Sequence, residues 1–184
     1  MSQVIDSLAY SLRPIGEADM PMLREIYYAS RAEEMKFFPL VEDQKQQFLA
    51  LQFDAQHSHY QTYYPHAQFD CVMRNGLVIG RLYVHRGIEE MRIIDINLLP
   101  AYCNQGVGTA MLQHLLAEAD EKHLSVSAHV EFSNPARRLY ARLGFAEVEE
   151  RGAYLFVVRP AMLADQIQVL HQNSLVDRIS ETPI

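Results

Sequence analysis

The segment PAYCNQGVGTAML, Pro100 to Leu112, sets Gly106 and Gly108 two residues apart where an apolar run gives way to helical periodicity. Glycine lets main-chain N–H groups approach a ligand closely, and the first turn of a helix presents unpaired donors at the positive end of its dipole. That combination can hold a phosphate without a lysine. Its plain alternative is a turn followed by an ordinary helix. The pattern GxxxxGK[ST] is absent, so nothing lysine-like stands where nucleoside triphosphate hydrolysis would need it. A dinucleotide-binding βαβ unit is the alternative fold, with a strand before the glycines, a helix after them and Glu131 at the end of the next strand. Against it, Met111 occupies the place of the third glycine, and the preceding strands look like hairpins rather than βα units.

Other side chains invite chemistry by their type. Asp95 interrupts the apolar run MRIIDINLL, and a carboxylate in a mostly buried strand needs a partner or a pocket. It reads equally as a catalytic group or as a structural hydrogen-bonding one. Tyr140 shares apolar spacing with Leu139 and Leu143, which alone describes core. His57, His59 and His66 match no zinc signature and have no cysteine beside them, so they are expected to be solvated and no metal site is expected.

The elements that must position these groups follow from pattern. SLAYSLRPI, residues 7 to 15, reads as a strand stopped by Pro14, after which Asp19 offers an N-cap to a helix with Met20, Leu23, Ile26 and Tyr27 on one face. A second helix starts near Glu42 and Asp43, carries Phe48, Leu49, Gln52 and Phe53 as a narrow stripe, and ends before Pro65. FDCVMRNG, LVIGRLYVHRG and MRIIDINLLP are three β-rich runs divided by Asn75-Gly76 and Arg86-Gly87, as in an antiparallel meander. Met111, Leu112, Leu115, Leu116 and Ala119 mark a helix ending near His123, and LSVSAHVE alternates as a strand with Val126, Ala128 and Val130 on one side. Asn134-Pro135 opens a short helix ended by Gly144, and FAEVEE and AYLFVVRP complete the body. The class expected is α+β around a mixed, mostly antiparallel sheet flanked by helices, in one domain of residues 7–160 with an extension of residues 161–184. Met162, Ile167, Val169 and Leu170 in that extension offer a docking helix or a homodimer contact, or stay mobile.

Charge narrows the partners. Lys and Arg total 16 against 23 Asp and Glu, a formal charge of −7, so no diffuse basic field exists to neutralise a nucleic-acid backbone. The N-terminus lacks a basic-then-apolar signal pattern, no apolar run approaches membrane-spanning length, and the cysteines are two, Cys71 and Cys103. These features predict a cytoplasmic protein with reduced thiols and neither nucleic acid nor membrane as a partner.

Over roughly residues 10 to 159 the chain resembles the GNAT superfamily of acyl-CoA-dependent N-acyltransferases. Two motifs carry the resemblance: Pro100 with Gln105, Gly106, Val107 and Gly108, similar to the family's [QR]xxGx[GA] loop, and NPARRLYARLGF, residues 134 to 145, similar to its Asn-then-Leu-Tyr-x-x-x-Gly-Phe segment. Cys103 stands where the family usually has Arg or Gln, Asn104 where Gly is frequent, and the Asn-to-Tyr spacing is one residue short, with Ser133 at the commoner place. The resemblance implies acetyl-CoA as co-substrate, its pyrophosphate held by the amides of Asn104, Gln105, Gly106, Val107, Gly108 and Thr109. It implies that main-chain groups of Ile96, Asn97 and Leu98 pair with the pantetheine arm like another strand, and that Asn134 or Ser133 bonds that arm.

The implied reaction is direct attack of a neutral amine, from a small molecule or a peptide, on the acetyl thioester, with Tyr140 as acid to the departing thiolate. Tyrosine and thiol have comparable pKa values, so that proton transfer is nearly balanced. A base must take the amine's proton, and Asp95, His129, Glu131, Glu89 and Glu90 are the candidates. The aromatics Phe37, Phe38, Tyr60, Tyr63 and Tyr64 lie where the family builds its acceptor wall, although packing explains them equally well. A catalytically silent acyl-CoA sensor would share the loop and the arm site.

Overall fold

The period-two and period-3.6 patterns resolve into the strands and helices expected of them in the computed structural model, which describes residues 10–162. The described residues divide into two compact units, one holding residues 10–86 together with Arg92–Leu112, the other Gly87–Met91 together with residues 113–162. Among the described residues there are seven strands and four α-helices, the α+β class expected. Residues 7–9 of the expected first strand and Ile167, Val169 and Leu170 lie outside the described residues.

In the first unit, β1 (Ser11–Pro14), β2 (Gln68–Arg74) and β3 (Leu77–Arg86) are successive antiparallel neighbours. The β2–β3 turn is made by Asn75 and Gly76 with φ of 51° and 78°, the left-handed pair that a two-residue hairpin requires. β4 (Glu90–Leu98) follows β3 in the sheet order. Against these strands pack α1 (Met20–Met35) and α2 (Glu42–Tyr63), whose stripes supply Leu23, Ile26, Tyr27, Leu49 and Phe53 to a core that also takes Cys71. Burial pushes the Cys71 thiol up to about 11, so it behaves as an apolar filler.

Two local expectations need correction. Asp19 precedes α1 but does not cap it: its own backbone is helical, with φ −84°. Its carboxylate instead accepts the Gly16 N–H at 2.8 Å and a forked bond from Arg13 at 2.7 and 2.9 Å, closing a 3-10 turn over Glu17–Asp19. The Arg13 fork holds that carboxyl at about 2. His57 is not solvated. It extends the Leu49, Phe53 stripe by another turn, stacks on Phe53 with ring centroids 5.5 Å apart, lies edge-to-face with Phe69 and is tilted against Tyr83. His59 and His66 are exposed.

Gly80 on β3 makes the tightest approach in this unit. A Cβ there would stand 2.3 Å from the Asn97 carbonyl oxygen and 2.6 Å from Leu98 Cδ2, so glycine alone lets β3 lie this close to the end of β4.

α3 (Val107–Glu121) runs from the first unit into the second, with Met111, Leu112, Leu115, Leu116 and Ala119 buried as its spacing predicts. It ends with His123 in the left-handed region, φ 54°, and the Leu124 N–H returning to the Ala119 carbonyl at 2.8 Å. In the second unit β5 (Ser125–Glu131) pairs antiparallel with β7 (Tyr154–Arg159), and β7 pairs antiparallel with β6 (Ala146–Arg151). The terminal hairpin therefore inserts its second strand next to β5 and leaves β6 exposed along its length. Arg159 forks onto Asp120 at 2.7 and 2.9 Å and fastens the end of β7 to α3. α4 (Arg137–Arg142) lies between β5 and β6 in sequence. No helix among the described residues is long and apolar enough to cross a membrane.

Two outcomes follow from this packing. Gly80→Ala is expected to cost about 3 kcal/mol, read from the urea midpoint at constant slope, because the methyl's nearest neighbour is the Asn97 backbone carbonyl, which cannot swing aside as the Leu98 side chain can. Burial, reinforced by the Arg81 charge, holds the His57 imidazole below its ordinary value of about 6.5. The unfolded chain therefore binds the extra proton first, and stability falls as pH drops below that value while remaining flat above it. Urea titrations at pH 8 and pH 5 should show a smaller acid loss in His57→Phe than in the wild type.

Candidate functional site

β4 gives way at Leu99 to a 3-10 turn over Pro100–Tyr102, closed by Tyr102 N–H to the Leu99 carbonyl at 2.9 Å. Asn104 and Gly106 then take φ of 57° and 84°, bending the chain so that α3 starts at Val107. Asparagine is among the few non-glycine residues that adopt this conformation readily, which explains how Asn104 serves at a place where glycine is frequent. Ala110 N–H reaches back to the Gly106 carbonyl at 2.9 Å, so the amides of Val107, Gly108 and Thr109 precede the helix's own hydrogen-bond ladder. At Gly108 an added Cβ would meet Leu98 Cδ1 at an ordinary 3.9 Å, so the surrounding protein does not itself demand glycine there.

Side chains tie the turn down from behind. Gln105 Nε2 donates to the Ala101 carbonyl at 2.5 Å, and Gln105 Oε1 accepts from Arg74 Nη1 at 2.8 Å. The Cys103 thiol donates to the Leu98 and Leu99 carbonyls at 3.7 and 3.6 Å, and burial raises its pKa above the ordinary thiol value. It holds the end of β4 and is poorly suited to act as a nucleophile.

Asp95 has the partner its setting required. Arg81 Nη2 donates to Asp95 Oδ2 at 2.7 Å and to Gln56 Oε1 at 3.1 Å, while Asn97 Nδ2 donates to Asp95 Oδ1 at 2.6 Å. Arg81 is 1% exposed, and its guanidinium lies 5.5 to 5.7 Å from the ring centres of Tyr27, Phe53 and Tyr83. Sequence reasoning missed Arg81 and Gly80. The signal for Arg81 was present: a lone arginine inside LVIGRLYVH beside a lone aspartate inside MRIIDINLL, opposite charges in adjacent apolar strands.

The first unit thus brings together Asp95, Ile96, Asn97, Leu98 and the loop from Asn104 to Thr109. The second unit holds Tyr140, Asn134, His129, Glu131, Glu89 and Glu90. Tyr140 is 4% exposed and meets Phe145 edge-on at 5.0 Å. Asn134 Oδ1 accepts the Ala136 N–H at 2.9 Å and starts the turn into α4. His129 is exposed and lies against Phe156, Glu131 is half-buried, and Glu90 accepts a bond from the Ser127 hydroxyl. Of the aromatics weighed as an acceptor wall, Phe37 and Tyr63 are exposed, Phe38 lies against Phe48, Tyr60 meets Tyr83, and Tyr64 meets His85.

Comparison with known proteins agrees with this fold. The model of the acetyltransferase (GNAT) family matches residues 25–145. A ribosomal protein bS18-alanine N-acetyltransferase of Haemophilus influenzae is 32% identical over 84 residues, 45% of this chain; the match spans 58% of that relative's length. Among solved structures, the paia N-acetyltransferase of Thermoplasma acidophilum in complex with coenzyme A aligns with a TM-score of 0.63 at 13% identity, covering 83% of this chain and 99% of that one. The ribosomal-protein-S18-alanine N-acetyltransferase of Escherichia coli aligns with a TM-score of 0.58 at 21% identity, covering 85% and 96%. At these identities the structural likeness establishes the fold.

Breaking the buried pair from one side leaves a charge without its counter-ion. Asp95→Leu or Arg81→Met is expected to cost about 3–5 kcal/mol, whereas the double variant Arg81→Met/Asp95→Leu should lose distinctly less than the sum of the two. Equilibrium urea unfolding of the wild type and the three variants measures the coupling.

Proposed function

This chain belongs to the GNAT acetyltransferase family, and we propose that it transfers an acetyl group from acetyl-CoA directly to a primary amine of a peptide or small molecule. The observation that carries this reading is the turn in which Asn104 and Gly106, both left-handed, deliver the chain into the first turn of α3. Such a turn aims consecutive main-chain donors at one point, an arrangement suited to the pyrophosphate of an acyl-CoA. Gly108, which the protein's own packing leaves free to carry a side chain, makes sense as the place where a ligand comes close to the backbone. Residues 7–160 are taken as one N-acetyltransferase domain with residues 161–184 as its extension, a reading supported by a family match that runs through both units. The free thiols Cys71 and Cys103 favour a cytoplasmic setting.

In this reading the amides of Asn104, Gln105, Gly106, Val107, Gly108 and Thr109 hold the pyrophosphate. Main-chain groups of Ile96, Asn97 and Leu98 pair with the amides of the pantetheine arm, and Asn134 bonds that arm from the start of α4. The neutral amine attacks the thioester carbonyl; a C–N bond forms, the C–S bond breaks, and the Tyr140 hydroxyl gives its proton to the leaving thiolate. Asp95 has both oxygens engaged by Arg81 and Asn97. Its role is to orient Asn97, and through it the strand segment that meets the arm. The amine's proton passes to one of the more open groups, His129, Glu131, Glu89 or Glu90. The relative named for alanine acetylation of a ribosomal protein makes a peptide amine the first acceptor class to try.

The test is turnover of acetyl-CoA against a panel of peptide and small amines, following release of free thiol. The wild type should turn over, and Tyr140→Phe should lower kcat by about 10²–10⁴-fold with acetyl-CoA affinity retained. Tight acetyl-CoA binding without transfer to any amine would overturn the enzyme reading in favour of an acyl-CoA sensor.

A further inference from the structure

The loop assigned to the pyrophosphate has no cation of its own. From Ile93 to Glu121 the sequence contains neither lysine nor arginine, and Cys103 stands at the place where an arginine or glutamine is usual. Backbone amides and a helix dipole supply partial charges, whereas a pyrophosphate diester brings full negative ones. The fold delivers a guanidinium from elsewhere. Arg74 is the last residue of β2, pinned in place by the Asn75-Gly76 hairpin that immediately follows it. Its Nη1 donates to Gln105 Oε1 at 2.8 Å, and Gln105 in turn donates to the Ala101 carbonyl at 2.5 Å. Gln105 sits between the two left-handed residues, Asn104 and Gly106, so the brace acts at the centre of the turn.

We propose that Arg74 is a positioning residue for acyl-CoA binding: it braces the loop through Gln105 and supplies the positive charge that the loop segment lacks. The inference rests on the acetyl-CoA reading above and assigns to it a residue 31 positions away from the loop in sequence. The exposed bond from the Arg74 guanidinium to the neutral Gln105 amide by itself contributes weakly to folding. A charge beside an anion site contributes to binding instead, and does so in a manner that salt screens.

The experiment is calorimetric titration of the wild type, Arg74→Gln and Arg74→Lys with CoA and, separately, with S-acetyl-pantetheine, which carries the same arm without the pyrophosphate. Each titration is run at low and high ionic strength. Arg74→Gln should weaken CoA about tenfold at low salt, with the deficit shrinking at high salt, and should leave S-acetyl-pantetheine unchanged; Arg74→Lys should fall between. Gln105→Ala, which severs the brace and keeps the cation, should weaken CoA less and retain the wild-type salt dependence. It carries the test together with Arg74→Lys should Arg74→Gln fold poorly. Unchanged CoA affinity in the Arg74 variants, or equal loss for both ligands, overturns the proposal while the acetyl-CoA reading stands. A wild type that binds neither ligand brings down that reading and this inference with it.

Discussion

The ion pair between Arg81 and Asp95 is the constraint around which the first unit is arranged. Two full charges sit in the interior of a sheet, and each is tolerable only because the other is there. Arg81 is further enclosed by Tyr27 of α1, Phe53 of α2 and Tyr83 of its own strand, so the helices pack onto the strands around a charge rather than around aliphatic side chains alone. From Asp95 the same network passes to Asn97, and so reaches the stretch of β4 on which the proposed arm site depends. A buried pair of this kind is weak evidence for extra stability. Its clearer effect is on register, since a slip of β3 against β4 by one residue would strand both charges.

The loop that follows β4 shows a division of labour within a few residues. The main chain makes the left-handed bend at Asn104 and Gly106 and the helix start at Val107, while the side chains of Gln105 and Cys103 hold the turn to Ala101, Leu98 and Leu99. This explains how the family's loop tolerates a cysteine and an asparagine at Cys103 and Asn104. The left-handed conformation and the helix start carry the geometry, and asparagine satisfies the first of these nearly as well as glycine does.

Much of the fold was legible because hydrophobic periodicity reports local structure directly. The α1 and α3 faces, the Asn75-Gly76 hairpin and the strand alternation at Val126, Ala128 and Val130 all appear where spacing placed them. What stayed hidden depends on partners that a residue's own element does not reveal. Asp19 looks like a cap until Arg13 is seen to claim its carboxylate, and His57 looks polar until Phe53, Phe69 and Tyr83 are seen around it. Asp95 was flagged because a charge in an apolar strand must be answered, but the answer, Arg81, lies 14 residues earlier. The order β5-β7-β6 was likewise invisible, because a hairpin's pattern does not say which of its strands faces a third.

Gly80 shows how a residue can be bound to function without meeting a ligand. Any side chain there presses on the Asn97 carbonyl and on Leu98, the main-chain stretch on which an arm of pantetheine would lie. Under the proposed arm site, selection for a well-formed sheet and selection for cofactor affinity act on the same atom at this position and are not satisfied separately. A mutational survey of residue 80 would carry the intolerance of a binding residue, and covariation with residues 97 and 98 would record a geometric debt of the backbone rather than any contact with substrate.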